Sequence, residues 1–99
     1  MALLLRDQDR QRLTALMAQH LPGIVARAYG SRVTGYAHDA SDLDLALMAP
    51  DAQPIPMAQL ERFRQAVNDS NLPILIDARD WARLPEKFHA EIAKAFVDL

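Results

Sequence analysis

The sequence contains no cysteine. Disulfides and thiolate metal sites are therefore excluded, and a reducing compartment is permitted. It also has little net charge: 11 Lys and Arg against 13 Asp and Glu leave −2 at pH 7, no general attraction for nucleic acid. A nucleic-acid partner is accordingly not expected. Long apolar runs are missing as well. The stretch 1–5 is too short for a signal h-region or a membrane span, so a cytoplasmic protein with no membrane partner is expected. Internal repeats and low-complexity segments are absent. What remains is an ordinary globular composition, 51% apolar and 24% charged over 99 residues. That length suits one core, and a single domain over 1–99 is expected.

Hydrophobic periodicity outlines the elements. Asp7 or Asp9 can cap a helix reaching about residue 20, with Leu13, Leu16 and Met17 at helical spacing. Residues 24–29 read as a buried strand, 31–36 as a short helix after a glycine turn, and 42–48 as a second strand. The three prolines in 50–56 mark a loop. Leu60, Phe63, Ala66 and Val67 indicate a helix over 57–68, and 72–78 carries a third strand. Pro85 suits the first turn of a last helix that places Phe88, Ile92 and Phe96 on one face. The order implies an α/β fold, with helices packed on a small mixed sheet.

The chemistry is concentrated between Gly30 and Leu45. Gly30 and Ser31 follow the first apolar run, Gly35 lies a few residues on, and Ser41-Asp42-Leu43-Asp44-Leu45 opens the second. Asp42 and Asp44, two apart on a strand, place both carboxylates on one face, while Leu43, Leu45 and Leu47 fill the other. Two adjacent acids repel unless a cation lies between them, and a divalent metal with oxygen ligands is the usual solution. Gly30, lacking a Cβ, lets the backbone approach a phosphate. Ser31 can offer its hydroxyl and N–H at the start of the short helix; a Ser N-cap after a strand is the compatible plainer reading.

This stretch resembles the signature of the DNA polymerase β-like nucleotidyltransferases: Gly-Ser, a spacer containing Gly, then Asp-x-Asp. More narrowly it resembles the minimal nucleotidyltransferase domain, where a form close to G-S-R-A-x-G-x-A-x-x-x-S-D-x-D-L is common. Gly30, Ser31, Arg32, Gly35, Ala37, Ser41, Asp42, Asp44 and Leu45 match it. Val33 stands where Ala is usual and Tyr36 where a smaller residue is usual, which narrows the space beside the phosphates without removing a chemical group. The segment from Ile76 to Trp81 and Pro85-Glu86-Lys87-Phe88 also look like the end of such a domain, where a strand with a third acid precedes a Pro-x-x-Phe helix. The resemblance implies the polymerase β palm-like nucleotidyltransferase fold with no appended substrate domain.

It further implies an enzyme that moves NMP, AMP from ATP in the leading case, to a hydroxyl with two Mg²⁺ ions, or Mn²⁺ in their place. Asp42 and Asp44 would bridge the metals. Asp77, the only acid inside the third apolar run, is the choice for a third ligand that also helps deprotonate the acceptor. The plainer reading of Asp77 is an ion pair with Arg79 or Arg83. Asp80, three residues on, would point to the opposite face and cap the turn around Trp81. Gly30 and Ser31 would bind the triphosphate. Arg32 could reach it or instead pair with Asp39 or an acid of a partner, and Ser41 is a lesser nucleotide-binding candidate whose first role is to orient the turn before Asp42. His38 lies near the cleft, as a substrate contact or a solvated loop residue, and Trp81 reads as an anchor under the last helix. Proteins of this kind often serve as antitoxins to a helical HEPN-domain ribonuclease toxin, transferring AMP to it. The alternatives are a non-catalytic antitoxin that masks the toxin by contact, and an adenylyltransferase of small aminoglycoside-like acceptors. Self-association is left open.

Overall fold

The computed structural model describes residues 2–38 and 41–99. Helix α1 (Asp7–His20) leads to strand β1 (Val25–Tyr29), short helix α2 (Ser31–Thr34) and strand β2 (Leu43–Met48). Helix α3 (Met57–Asp69), strand β3 (Ile76–Asp80), helix α4 (Glu86–Lys94) and the two-residue strand β4 (Val97–Asp98) complete the chain. The sheet order is β3-β2-β1-β4, with β1 antiparallel to both neighbours and β2 parallel to β3. The expected mixed sheet with packed helices is thus what forms, an arrangement compatible with the polymerase β-like fold.

Alternation sorts the sheet into two faces. Ala26, Ala28, Leu43, Leu45, Leu47 and Ala78 point one way into the core. Leu13 and Met17 of α1, with Leu60, Phe63 and Val67 of α3, belong to the same cluster. The three β2 leucines are fully buried; burying each contributes roughly 1.5–3 kcal/mol. The opposite face carries Tyr29, Asp44 and Asp77 in one lateral row and Arg27, Ala46 and Arg79 in the next. On this face Arg27 packs against two aromatic rings. The Arg27 guanidinium lies 3.9 Å from the Phe96 ring centroid and 6.0 Å from that of Trp81. Trp81 in turn stacks on His89 of α4 at 3.9 Å, so it anchors the last helix.

Several boundaries differ from expectation. Neither Asp7 nor Asp9 caps α1: the N-cap is Arg6, and both acids lie within the first turn. Helix α2 stops at Thr34, because Gly35 turns left-handed at φ 93°. The third strand covers 76–80 rather than 72–78; Leu72 and Ile74 pack against the core before pairing begins at Leu43↔Ile76. The last helix ends before Phe96, since Ala95 is extended and the chain turns to pair with β1 as β4.

Asp80 lies on the face opposite Asp77 and caps the turn at Trp81, accepting from Ala82 N–H at 3.1 Å. It does more than cap. At 4% exposure it also accepts from Ile55 N–H at 2.9 Å and pairs with Arg83, which donates to Ile55 O at 2.7 Å. This ring clamps the proline-rich loop to the end of β3. Asp80→Ala strands a buried N–H and unpairs a half-exposed Arg83, so urea denaturation should show a loss of about 2–3 kcal/mol. A loss below about 1 kcal/mol would reduce Asp80 to a turn cap.

Candidate active site

The site is built where β1 ends, β2 begins and β3 runs beside it. Antiparallel pairing sets Tyr29 opposite Asp44, and parallel pairing sets Asp44 opposite Asp77. Asp44 and Asp77 therefore share a sheet face. Asp42 precedes β2 by one residue and is exposed, near enough for its charge to act on Asp44. In the present side-chain arrangement, no three acidic or imidazole groups among the described residues are disposed to hold a metal ion. Asp77 is turned to Arg79: its Oδ2 lies 3.2 Å from Arg79 Nη2, and its Oδ1 accepts from Nε at 3.4 Å.

Gly30 directly follows Tyr29 and adopts φ 83°, ψ −155°, a conformation essentially reserved for glycine. The space a Cβ would take there belongs to Asp44: it would collide with Oδ2 and lie 3.3 Å from Cγ. The glycine thus seats the Asp44 carboxylate against the turn as well as reversing the chain. Gly30 O accepts from Val33 N–H and Thr34 N–H, both at 3.0 Å, which starts α2. Gly30, not Ser31, is the N-cap. No hydrogen bond within the described residues engages the Ser31 hydroxyl, so it is available to a ligand.

The electrostatics follow from this crowding. Burial raises the Asp44 carboxyl above its ordinary pKa, and the charges of Asp77 and Asp42 raise it further, while Arg79 opposes them. Burial likewise raises the Tyr29 hydroxyl, helped by Asp44 and Asp77 and opposed by Arg79. Arg79 is held in its charged form chiefly by its hydrogen bond to Asp77.

Arg32 is 8% exposed, and its guanidinium donates to Leu4 O at 2.7 Å, Ser41 O at 3.0 Å and His38 O at 3.4 Å. Leu4 N–H returns a bond to Arg32 O at 2.8 Å. Arg32 is thus a strut between the amino-terminal segment and the loop before Asp42. Asp39, its suggested ion-pair partner, lies outside the described residues. Ser41 closes that loop: its Oγ accepts from His38 N–H at 3.0 Å, and its own N–H donates to His38 O at 2.9 Å. His38 is exposed. Tyr29 went unnoticed in the sequence, although strand alternation and its place just before the glycine turn mark it as a neighbour of the acids.

The chain is similar to the "Probable protein adenylyltransferase MntA" of Haemophilus influenzae, with 32% identity over 93 residues covering 94% of this chain and 80% of that protein. The chain belongs to the minimal nucleotidyltransferase family. No protein-family model matches it. Among the described residues of this nucleotidyltransferase, no helix is long and apolar enough to cross a membrane.

Two predictions concern the seat of Asp44. Gly30→Ala should destabilise the protein by about 1–3 kcal/mol from backbone strain alone, plus the collision with Asp44. Adding Asp44→Ala removes the collision and leaves the strain, so a double-mutant cycle should show positive coupling. Strict additivity would mean the two residues do not touch. Separately, a carboxyl whose folded pKa is raised weakens the fold at pH values above that pKa, where it is ionised. The penalty disappears as pH falls below its unfolded value near 3.8. In metal-free buffer, Asp44→Asn should therefore raise the melting temperature at neutral pH by a few degrees at most, with the gap closing toward pH 4. A lower melting temperature at neutral pH would contradict this.

Proposed function

We propose that this nucleotidyltransferase transfers AMP from ATP to a hydroxyl on a protein, acting in the cytoplasm as the antitoxin of a helical HEPN-domain toxin. The observation that carries the reading is the lateral register Asp44↔Asp77, with the Gly30 turn against Asp44 and the charge of Asp42 acting on it. The relative's name, a protein adenylyltransferase, supports the choice of nucleotide and acceptor class.

The donor set fits a hard divalent cation. Asp42, Asp44 and Asp77 offer only carboxylate oxygens, and the Asp44 carboxyl, raised first by burial and then by the charges of Asp77 and Asp42, is ionised at a cost that such a cation relieves. Mg²⁺ held by these three acids would neutralise charge on the reacting phosphate oxygens. Gly30 admits the triphosphate close to the main chain, and the Ser31 hydroxyl donates to a phosphate oxygen. Asp77, at the sheet edge, accepts the proton of the acceptor hydroxyl. The acceptor oxygen then bonds to the α-phosphorus as the bond to pyrophosphate breaks.

The Arg79–Asp77 ion pair favours one rival, an antitoxin that acts by contact alone with an idle acid site. Incubating the protein with its co-expressed helical partner, ATP and Mg²⁺ separates the two by intact mass. One AMP added to the partner is expected. Asp77→Asn should retain ATP binding while transfer falls on the order of 10²–10⁴-fold. If the partner is never modified, or if Asp77→Asn protects cells from the toxin as well as wild type does, neutralisation is by contact.

A further inference from the structure

Asp77 has two claims on it. Across the sheet stands Asp44, with which it would share a divalent cation. Along its own strand, two residues on and on the same face, stands Arg79, which contacts both of its oxygens, Oδ2 at 3.2 Å and Oδ1 at 3.4 Å. These occupants compete. A guanidinium spanning both oxygens takes two of a carboxylate's roughly four lone-pair sites, and a dication brought beside it repels it. The pair can be opened because it is open to water: the side chains are 48% and 39% exposed, and exposed pairs are weak.

Once displaced, Arg79 has nowhere better to go on its own face. Beyond the buried Ala46, the second lateral row holds Arg27 and Asp98, and the one acid in it, Asp98, is already paired with Arg27 at 3.0 Å at the far side of the sheet. Asp44 is nearby, but it would be occupied by the same cation. The anion that arrives with the cation is the triphosphate, whose oxygens match the planar fork of a guanidinium.

We propose that Arg79 is a resident counter-ion of Asp77 that exchanges its carboxylate for the nucleotide's phosphates, and so makes divalent-cation binding depend on the nucleotide. The inference rests on the nucleotidyl-transfer reading above and adds a residue to it. Since Arg79 disfavours the cation alone and favours the cation–nucleotide pair, its removal changes the two affinities in opposite senses. Each ligand's effect on the other must be reciprocal.

The test is Mn²⁺ titration followed by the electron paramagnetic resonance of free Mn²⁺, with and without α,β-methylene ATP, which binds but cannot be transferred. Folding of each variant is checked by circular dichroism. Arg79→Gln should bind Mn²⁺ alone about fivefold more tightly than wild type, and the gain in Mn²⁺ affinity produced by the nucleotide should shrink by at least that factor. Arg27→Gln removes a positive charge from the same face without touching Asp77, and should leave both values within about twofold of wild type. Equal or weaker Mn²⁺ binding by Arg79→Gln, or an undiminished nucleotide gain, overturns the role of Arg79 while leaving the metal site standing. A tightening in Arg27→Gln as large as in Arg79→Gln also overturns it, because a general field would then account for the effect. If neither wild type nor variants bind Mn²⁺ under any condition, the metal-dependent reading falls, and the counter-ion role falls with it.

Discussion

Leucine burial on one side of β2 forces acid crowding on the other. Leu43, Leu45 and Leu47 are all fully buried against the helices. Together they contribute on the order of 5–9 kcal/mol. A one-residue slip of β2 would send all three to the opposite face, so the register is held by far more than the acids can resist. Asp44, alternating with those leucines, must then face Tyr29 on one neighbour and Asp77 on the other. Repulsion between half-exposed carboxylates is small beside that burial. The fold therefore tolerates a charge cluster that would otherwise disperse, and the Asp44 carboxyl is raised by its burial and, after that, by the charges of Asp77 and Asp42. Arg79 and Gly30 are local accommodations to it: one balances charge, the other gives up a side chain so that a carboxylate has room.

The parts of this arrangement that depend on short-range pattern were legible in the sequence. The i, i+2 acids alternating with leucines required only strand periodicity, and the opposite facings of Asp77 and Asp80 followed from their odd separation. The parts that depend on which strand pairs with which were not. Apolar content marks 72–78, yet Leu72 and Ile74 enter the core without entering the ladder, because β2 offers a partner only from Leu43 onward. Conversely Arg79 and Asp80 read as polar punctuation but are strand residues, each paired on β2, and Asp80 is buried because Ile55 and Arg83 satisfy it. Phe96 continues a helical spacing from Phe88 and Ile92. Its actual place beside Arg27 is decided by β1, whose free edge takes up Val97 and Asp98. Periodicity within a segment cannot register that competition.

Arg32 carries the same point into the motif itself. In sequence it sits next to Ser31 and reads as one more cation for a triphosphate. In the structure it is buried, and it reaches past the glycine turn to the carbonyls of Leu4, His38 and Ser41. Those bonds join the two halves of the motif through space. Gly30 and Ser31 sit at one end of the guanidinium's own chain, and Ser41, whose carbonyl it holds, immediately precedes Asp42. Ser41 then returns to His38 through both its hydroxyl and its N–H, which closes the loop on itself. A buried guanidinium must be hydrogen-bonded to be tolerated, and these three carbonyls supply its acceptors. The phosphate-approach turn and the first acid are thereby tied together through the needs of one buried side chain. Asp42 is exposed and lies before the ladder begins, so pairing with neighbouring strands cannot position it. Asp44 and Asp77 are placed by the sheet, whereas Asp42 depends on this strut, and the acid group is assembled by two independent constraints that meet at β2.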